Sequence, residues 1–598
     1  MVSVTNHRGL DDKGFYVDKN ISLGHARLSI IDLSEKARQP FWNEDRTIAV
    51  ICNGEIYNYR ELRENLVERG HRFFSKSDTE VIIHLYEEKG EKCLQDLNGI
   101  FSFAVYDKRN AKIFLARDRM GVKPLYYYYH NGTLIFSSEI KAILCHPIHR
   151  NIDREALIHY FRIFFTPSPF TLIEGIKKIP PAHYLIYKHR KIDIKQYWDI
   201  EDSPEINSKE EAVAGIKNLL KDSVKRQLLS SDRSVGLFLS GGIDSSSILG
   251  MASEISSGKI KTYSTGFDIE PEKFNQDMVL AKETSRYYNT DHHELIVGGK
   301  DARDNLEKVI YHMEEPVPNP IQISTFLLAR FAKKDVTVVL GGDGGDEIFG
   351  GYPRYYYSKL IDRFQLIPSL MRKRLVPYAL LEMFFNKKDL RDKVNTPPGV
   401  GRYLLHMGQK AKILSRVLSG NLIKDNYTEE LLREKYPEDK FSDKSKYLMY
   451  LDLFTWLSDE SLLRSDKTTM AFGLEERVPI LDHRLVEFAF KIPTDYKIKG
   501  KTDNKWIFRE AMKEYIPSHL LNKEKKGWFS PAAKWLRGDL KELAYNVLSP
   551  DYCPATREYF DFSEIKTILD DHISQKEYNL DMIWSLLTFQ IWHKTFLR

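Results

Sequence analysis

Two short segments near the middle of the chain carry residue types that could handle a nucleotide. The first, Ser240-Gly241-Gly242-Ile243-Asp244-Ser245-Ser246, stands between the apolar run 235–239 and a helical stretch through 255. Glycines let the backbone approach an anion closely, and a helix N-terminus offers free N–H groups and the positive end of its dipole. The hydroxyls of Ser240, Ser245 and Ser246 add donors. The plainer reading is a serine-capped helix after a glycine turn, but the whole strand–SGGxDSS–helix unit favours a phosphate cradle. No lysine follows in the GxxxxGK[ST] spacing, which disfavours γ-phosphoryl transfer of the Walker A kind. The second segment, Gly341-Gly342-Asp343-Gly344-Gly345-Asp346-Glu347, follows the run 336–340. Three carboxylates on a turn made of glycines repel one another without a cation. Such oxygen-rich clusters suit Mg²⁺ bridging to phosphate oxygens. The EF-hand pattern with its terminal Glu is missing. A solvated acidic turn is the plainer alternative, opposed by the turn's place at the end of an apolar strand, the ligand-binding edge of parallel sheets.

These segments need elements to carry them. Residues 235–239, 261–267 and 336–340 read as strands with helical patterns before or after each, the signature of a parallel, doubly wound sheet. From about 355 to 598 the pattern is almost wholly helical. Residues 1 to about 195 have another texture, with β-branched or aromatic runs at 48–51, 100–106 and 113–116. Asn-Gly pairs at Asn53-Gly54, Asn98-Gly99 and Asn131-Gly132 signal turns. Helices are expected over 59–68 and 78–88, beside an all-β or sandwich-like core. The polar stretch 202–209 is the linker candidate. The expected organisation is α/β and α+β multidomain: a β-rich domain over 1–195 and, over 210–598, a doubly wound parallel sheet with a helical C-terminal part.

Composition bounds the rest. The 598 residues hold 89 basic and 84 acidic side chains, a net charge of +5, with 42% hydrophobic and 29% charged residues. That is ordinary globular composition for more than one core, and it is no electrostatic footprint for nucleic acid. No apolar stretch reaches the roughly 18–20 residues needed to span a bilayer, and the first residues lack an apolar signal core. Cys52, Cys93, Cys145 and Cys553 lie far apart with no CxxC spacing, which argues against a disulfide or zinc framework. A cytoplasmic enzyme is expected. The aromatic-basic cluster Arg354 to Tyr357 has no basic field around it and is read as packing.

The two loops together resemble those of the PP-loop ATP pyrophosphatases, and specifically the synthetase half of the glutamine-hydrolysing asparagine synthetases. Other segments agree in order. Residues 463–470 and 473–482 resemble that family's LLxxDxxxM…GLExRxPFLD block, Lys505-Trp506-Ile507-Phe508-Arg509 its KxxLR segment, and Lys525-Lys526-Gly527-Trp528-Phe529 its KQGF segment. Upstream, His7 to Asp11 resembles HRGPD and Gly24 to Asp32 resembles GHxRLSIID, while 53–58, 77–80 and 116–126 continue the match. The resemblance implies an Ntn-type glutaminase sandwich followed by a PP-loop synthetase, with ATP and Mg²⁺ as cofactors, a homodimer, and small-molecule substrates: aspartate, ATP, and glutamine or ammonia. It implies that Mg-ATP adenylates the aspartate side chain and that ammonia then displaces AMP. Ser240 to Ser246 would cradle pyrophosphate, with Asp244 and Asp346 on the metal. Leu239, Thr265, Gly341 and Gly342 would line the nucleotide pocket. Lys525 would offset transition-state charge, and Asp343, where many relatives carry Glu, would take a proton from ammonia. In the glutamine pocket Arg27 would hold the carboxylate and Asp78 the ammonium, in a wall that includes Leu28, Ser29, Ile30, Ile31 and Glu55. Asn53 and Gly54 would form the oxyanion hole.

One departure stands out. That family uses a cysteine directly after the initiator Met, whereas this chain begins Met1-Val2 and its earliest cysteine, Cys52, lies in a strand. The sequence therefore leaves two readings, a start recorded too late or a form limited to free ammonia. Two alternatives to asparagine synthesis also remain: a relative that activates another carboxylate or amidates a sugar, and a catalytically dead protein that keeps the pockets.

Overall fold

The computed structural model describes residues 1–203, 206–269, 275–368, 390–419, 426–500, 503–521 and 529–597. Lys525 and most of its segment lie outside the described residues, as do residues 204–205 of the linker candidate.

The N-terminal part is built on eleven strands: β1 Asp12–Val17, β2 Ser22–Arg27, β3 Phe41–Trp42, β4 Ile48–Ile56, β5 Gly99–Asp107, β6 Lys112–Arg117, β7 Tyr126–His130, β8 Thr133–Ser137, β9 Ile176–Lys178, β10 His183–Lys188 and β11 Lys191–Gln196. Six of them form an antiparallel sheet in the order β11-β10-β6-β5-β4-β3, while β8-β7-β9 and β1-β2 make smaller sheets. Residues along β5 alternate between two layers, as a strand's period of two requires. Phe101, Phe103 and Val105 pack under helices Tyr59–Glu68 and Glu80–Lys89, and Ala104 and Tyr106 pack toward Leu125, Tyr127 and Ile179. Helices thus cover one face of the large sheet, and the expected β-rich core is α+β.

Asn131-Gly132 does make the two-residue turn between β7 and β8, with both residues at positive φ. Asn53-Gly54 does not turn. It runs through β4, paired with Ser102 and Phe101 of β5.

The C-terminal part holds a five-stranded parallel sheet in the order β14-β13-β12-β15-β16, from β12 Val235–Phe238, β13 Lys261–Phe267, β14 Asp291–Val297, β15 Val338–Leu340 and β16 Glu475–Arg477. The chain leaves β12 for β13 and β14 on one side and returns to β15 on the other. The carboxyl ends of β12 and β15 therefore diverge, which opens the crevice where such sheets bind ligands.

Among the described residues beyond 353, helices are the regular structure as expected, apart from β16. That strand arrives more than 130 residues after β15 and completes the sheet. A helical run ahead of it, Lys444–Asp452, continues through a π-helical stretch Leu453–Ser461 into Leu462–Met470. A π stretch widens the helix by one residue per turn and recurs at functional sites. Here the stretch carries Glu460 and Ser461, and the helix after it Arg464, near Asp343 beyond the end of β15. The two parts meet through buried charge: Lys141 pairs with Glu314 at 3.2 Å, Arg8 with Asp466 at 2.7 Å, and Arg477 faces Glu55 at 3.5 Å.

Candidate active sites

The loop after β12 carries Ser240-Gly241-Gly242 into helix Ile243–Ile255. Gly241 has φ +66, and a Cβ there would collide with the Asp277 carbonyl, so the turn requires glycine. Ser240 and Ser245 hydroxyls lie 3.1 Å apart and lean on backbone N–H groups at 3.2 and 3.4 Å. Ser246 is fully buried, its Oγ without a hydrogen-bond partner among the described residues. The open face of the cradle is therefore Ser240 to Ser245. Leu239 is buried beneath it, and Thr265 stands on β13 two residues past the partner of Phe238.

The second loop leans directly on the first. A Cβ on Gly342 would press on Ser245 N at 3.1 Å, and one on Gly345 would touch the Asp244 carboxylate. The carboxylates expected to hold metal, Asp244 and Asp346, are brought together, and Lys505 lies between them. Its Nζ is 2.6 Å from Asp244 Oδ2 and 2.8 Å from Asp346 Oδ1. Lys505 is buried at the head of helix Trp506–Met512 with φ +52, a left-handed conformation that costs an ordinary side chain roughly 1–2 kcal/mol. Asn504 anchors it by donating to the Gly351 carbonyl at 2.7 Å.

Asp244 Oδ1 remains buried without a hydrogen-bond partner among the described residues. Two carboxylates facing one point, with an oxygen to spare, fit a divalent cation. The third acid of the loop needs none. Glu347 is buried, accepts from the Tyr352 hydroxyl at 2.7 Å, and is pushed up to about 8 by burial and by the charge of Asp346. Asp343 accepts from Ser461 Oγ at 3.1 Å, and burial raises it above the ordinary carboxylate range.

The glutamine-site residues surround a cavity of about 500 Å³. Arg27, Leu28, Ile30 and Ile31 line it, as do Asn53, Gly54, Glu55 and Asp78. Ser29 does not. Its backbone turns away, the N–H to Asp11 at 2.7 Å and the carbonyl accepting from Arg233 at 3.1 Å. Arg27 donates to the carbonyls of Ser34 at 2.9 Å, Ile31 at 3.3 Å and Asp32, so the guanidinium is fixed by the loop it also braces.

Gly54 has φ +142, and a Cβ there would meet the Ile100 carbonyl of the neighbouring strand. Asn53 Nδ2 lies 3.1 Å from Ser138 Oγ. Asp78 accepts from Ile56 N at 2.8 Å, and burial raises both it and Glu55, Glu55 strongly. Cys52 is in the wall too, but burial pushes its thiol well above the usual range, so it offers no thiolate. Met470 and Glu475, from the C-terminal part, close the cavity's far side.

Sequence reasoning quoted Lys505 within a motif without giving it a role, although its motif position next to the metal candidates was a usable signal. Arg464 and Glu476 likewise stand inside matched segments that carried no assigned role. Their approach to Asp343 depends on a three-residue strand and a π stretch that periodicity does not show.

An antiparallel domain with a small-molecule cavity is thus joined to a parallel-sheet domain with two glycine loops that carry acids. Comparison narrows this. Residues 215–594 match the family described as "Asparagine synthase", and residues 1–198 match "Glutamine amidotransferase domain". The chain is 35% identical over 594 residues to "Asparagine synthetase [glutamine-hydrolyzing] 1" of Bacillus subtilis (strain 168), covering 98% of this chain and 92% of that one. It is 34% identical over 543 residues to "Asparagine synthetase [glutamine-hydrolyzing] 3" of the same organism, with 88% and 82% covered. A "Putative asparagine synthetase [glutamine-hydrolyzing]" of Mycobacterium tuberculosis (strain ATCC 25618 / H37Rv) is 31% identical over 625 residues, with 99% and 92% covered. The chain belongs to the asparagine synthase family.

Proposed function

We propose that this protein makes L-asparagine from L-aspartate, spending ATP to activate the side-chain carboxylate as a β-aspartyl adenylate that ammonia then opens. The observation that carries the reading is the Asp244–Lys505–Asp346 bridge across the two loops at the divergence of β12 and β15. A polyphosphate delivered there would meet the N-terminus of helix Ile243–Ile255 and a cation held by two carboxylates. Mg²⁺ held by Asp244 and Asp346 would supply charge neutralisation on the departing pyrophosphate. Lys505 keeps the two carboxylates together before any cation arrives. Asp343, three residues beyond β15, would receive the proton that the attacking nitrogen must lose. We assign Lys525, outside the described residues, the role of a fixed cation on the reacting phosphate.

The N-terminal cavity suits a small zwitterion, with the Arg27 guanidinium and the Asp78 and Glu55 carboxyls in its wall. Asn53 and the Gly54 N–H would hold an oxyanion. The nitrogen would come either from glutamine bound in this cavity or from free ammonia.

The test is direct: purified protein with ATP, Mg²⁺, aspartate and ammonium should yield asparagine in step with pyrophosphate. A folded, ATP-binding protein that yields none would transfer the reading to another carboxylate acceptor.

A further inference from the structure

Asp343 does not stand alone. Its carboxyl is hydrogen-bonded to that of Glu476, which β16 places opposite Val339 of β15. Gly341 makes this contact geometrically available, because a side chain there would occupy the space of the Glu476 carboxyl. Glu476 Oε2 is buried and has no hydrogen-bond partner among the described residues. The surrounding charges are few. Arg464 faces the pair from helix Leu462–Met470, held by Glu460 at 2.9 Å and donating to Ser461 Oγ at 3.2 Å, and Ser461 donates in turn to Asp343. Lys123 contributes from the N-terminal part, although its ammonium is nearer Glu475 and Asp466, at 3.4 Å from each.

We propose that Glu476 is the positioning partner of Asp343: the two carboxyls hold a proton between them, and Glu476 acts through Asp343 to make it the base for amide formation. This deepens the asparagine-forming reading above and rests on it. In the step, the ammonia nitrogen forms a C–N bond to the acyl carbon, the C–O bond to the phosphate breaks, and AMP leaves with that electron pair. The new ammonium-type nitrogen gives one proton to the doubly ionised pair, which later releases it to solvent. Two touching carboxyls lose the first proton easily and the second with difficulty. Burial raises both groups above the ordinary range, helped by the charge of Asp343 on Glu476 and of Glu460 on Asp343. A raised second ionisation brings the pair's basicity toward the working pH, where a general base is most effective. It also accounts for an aspartate at 343, since two carboxyls share the space one longer side chain would need.

The experiment compares pH profiles of ammonia-driven amide formation for the wild type and Glu476→Gln, which keeps the size and hydrogen bond but removes the charge. The acid limb is expected to move down by about one pH unit or more, and the plateau to fall roughly tenfold as the base weakens. ATP–pyrophosphate exchange should fall by less. Coincident acid limbs, or equal losses in both activities, would overturn the proposal. Should the variant fail to fold, Glu476→Asp serves instead: it keeps the charge and should keep the raised limb, and a lowered limb overturns the pairing. Absence of exchange in the wild type would sink the functional reading and leave the pair to be judged by carboxyl ¹³C titration. There, a raised midpoint at Asp343 that disappears in Glu476→Gln supports the pair, and its absence in the wild type refutes it.

Discussion

Glu475 and Glu476 are consecutive residues of β16, yet Glu475 lines the N-terminal cavity and Glu476 faces Asp343 at the nucleotide loops. One three-residue strand, through the alternation every strand imposes, forms part of the wall of both sites. The sites manage buried acid differently. In the N-terminal cavity the acids Glu55 and Asp78 are pushed toward keeping protons. Arg27 there directs its donors at backbone carbonyls of the 31–34 loop. Between the nucleotide loops, Asp244 and Asp346 are instead tied to an ammonium. A ligand that carries both signs needs only modest charge in its pocket. A polyphosphate needs a cation there, and a site of opposed carboxylates can recruit one.

Removing the cation should break this comparison most severely. Lys505→Ala leaves Asp244 and Asp346 facing each other, and ATP–pyrophosphate exchange should fall by about 10³-fold, the scale for losing a preorganised charged group. An exchange rate within tenfold of wild type would show that the bridge is structural.

Arg27→Ala tests the other site. Losing a charged donor is worth about 1.5–3 kcal/mol, so glutamine binding by calorimetry should weaken by roughly 10–100-fold. Unchanged affinity would mean the guanidinium only braces its loop.

A smaller effect sharpens the contrast in protonation. His25, in the cavity wall, is held down to about 4 by burial, with Nε2 at 2.9 Å from the Cys52 carbonyl. Its folded pKa lies below the unfolded 6.5, so the unfolded chain binds the extra proton as pH falls from about 6.5 to about 4, and stability drops across that window. His25→Gln keeps a donor without titrating. The variant's unfolding midpoint should therefore lose less between pH 7 and pH 5 than the wild type's, by on the order of 1–2 kcal/mol. Parallel losses would show that the imidazole is not the group responsible.

The smallest effect is a count. Of four cysteines only Cys145 is exposed, so a thiol reagent should titrate one group in the native protein and four in denaturant. Fast labelling of Cys52 would reopen the question of a nucleophile in the cavity.

Much of this was legible in the residues. Strong local signals, such as the helix over Tyr59–Glu68, the apolar run of β12 and the glycines flanking Asp244 and Asp346, resolve into the elements expected of them. Asn53-Gly54 misled, because the turn signal is a preference of isolated dipeptides. Here, nine residues of pairing with β5 hold both residues within the strand, and Gly54 serves close strand approach instead.

The sequence by itself determined which chemistry was available: the anion-binding turn, the acidic glycine loop, the order of motifs, and the lack of a reactive thiol spacing. These are local properties, set by residue type and by neighbours a few positions away. Tertiary structure alone decided which charges meet. Lys505 reaches Asp244 across 261 positions of sequence, and Glu476 reaches Asp343 across 133, because a parallel sheet gathers distant strand ends at one edge. Electrostatic energy depends on distance in space and on burial, and neither is written in the order of the residues.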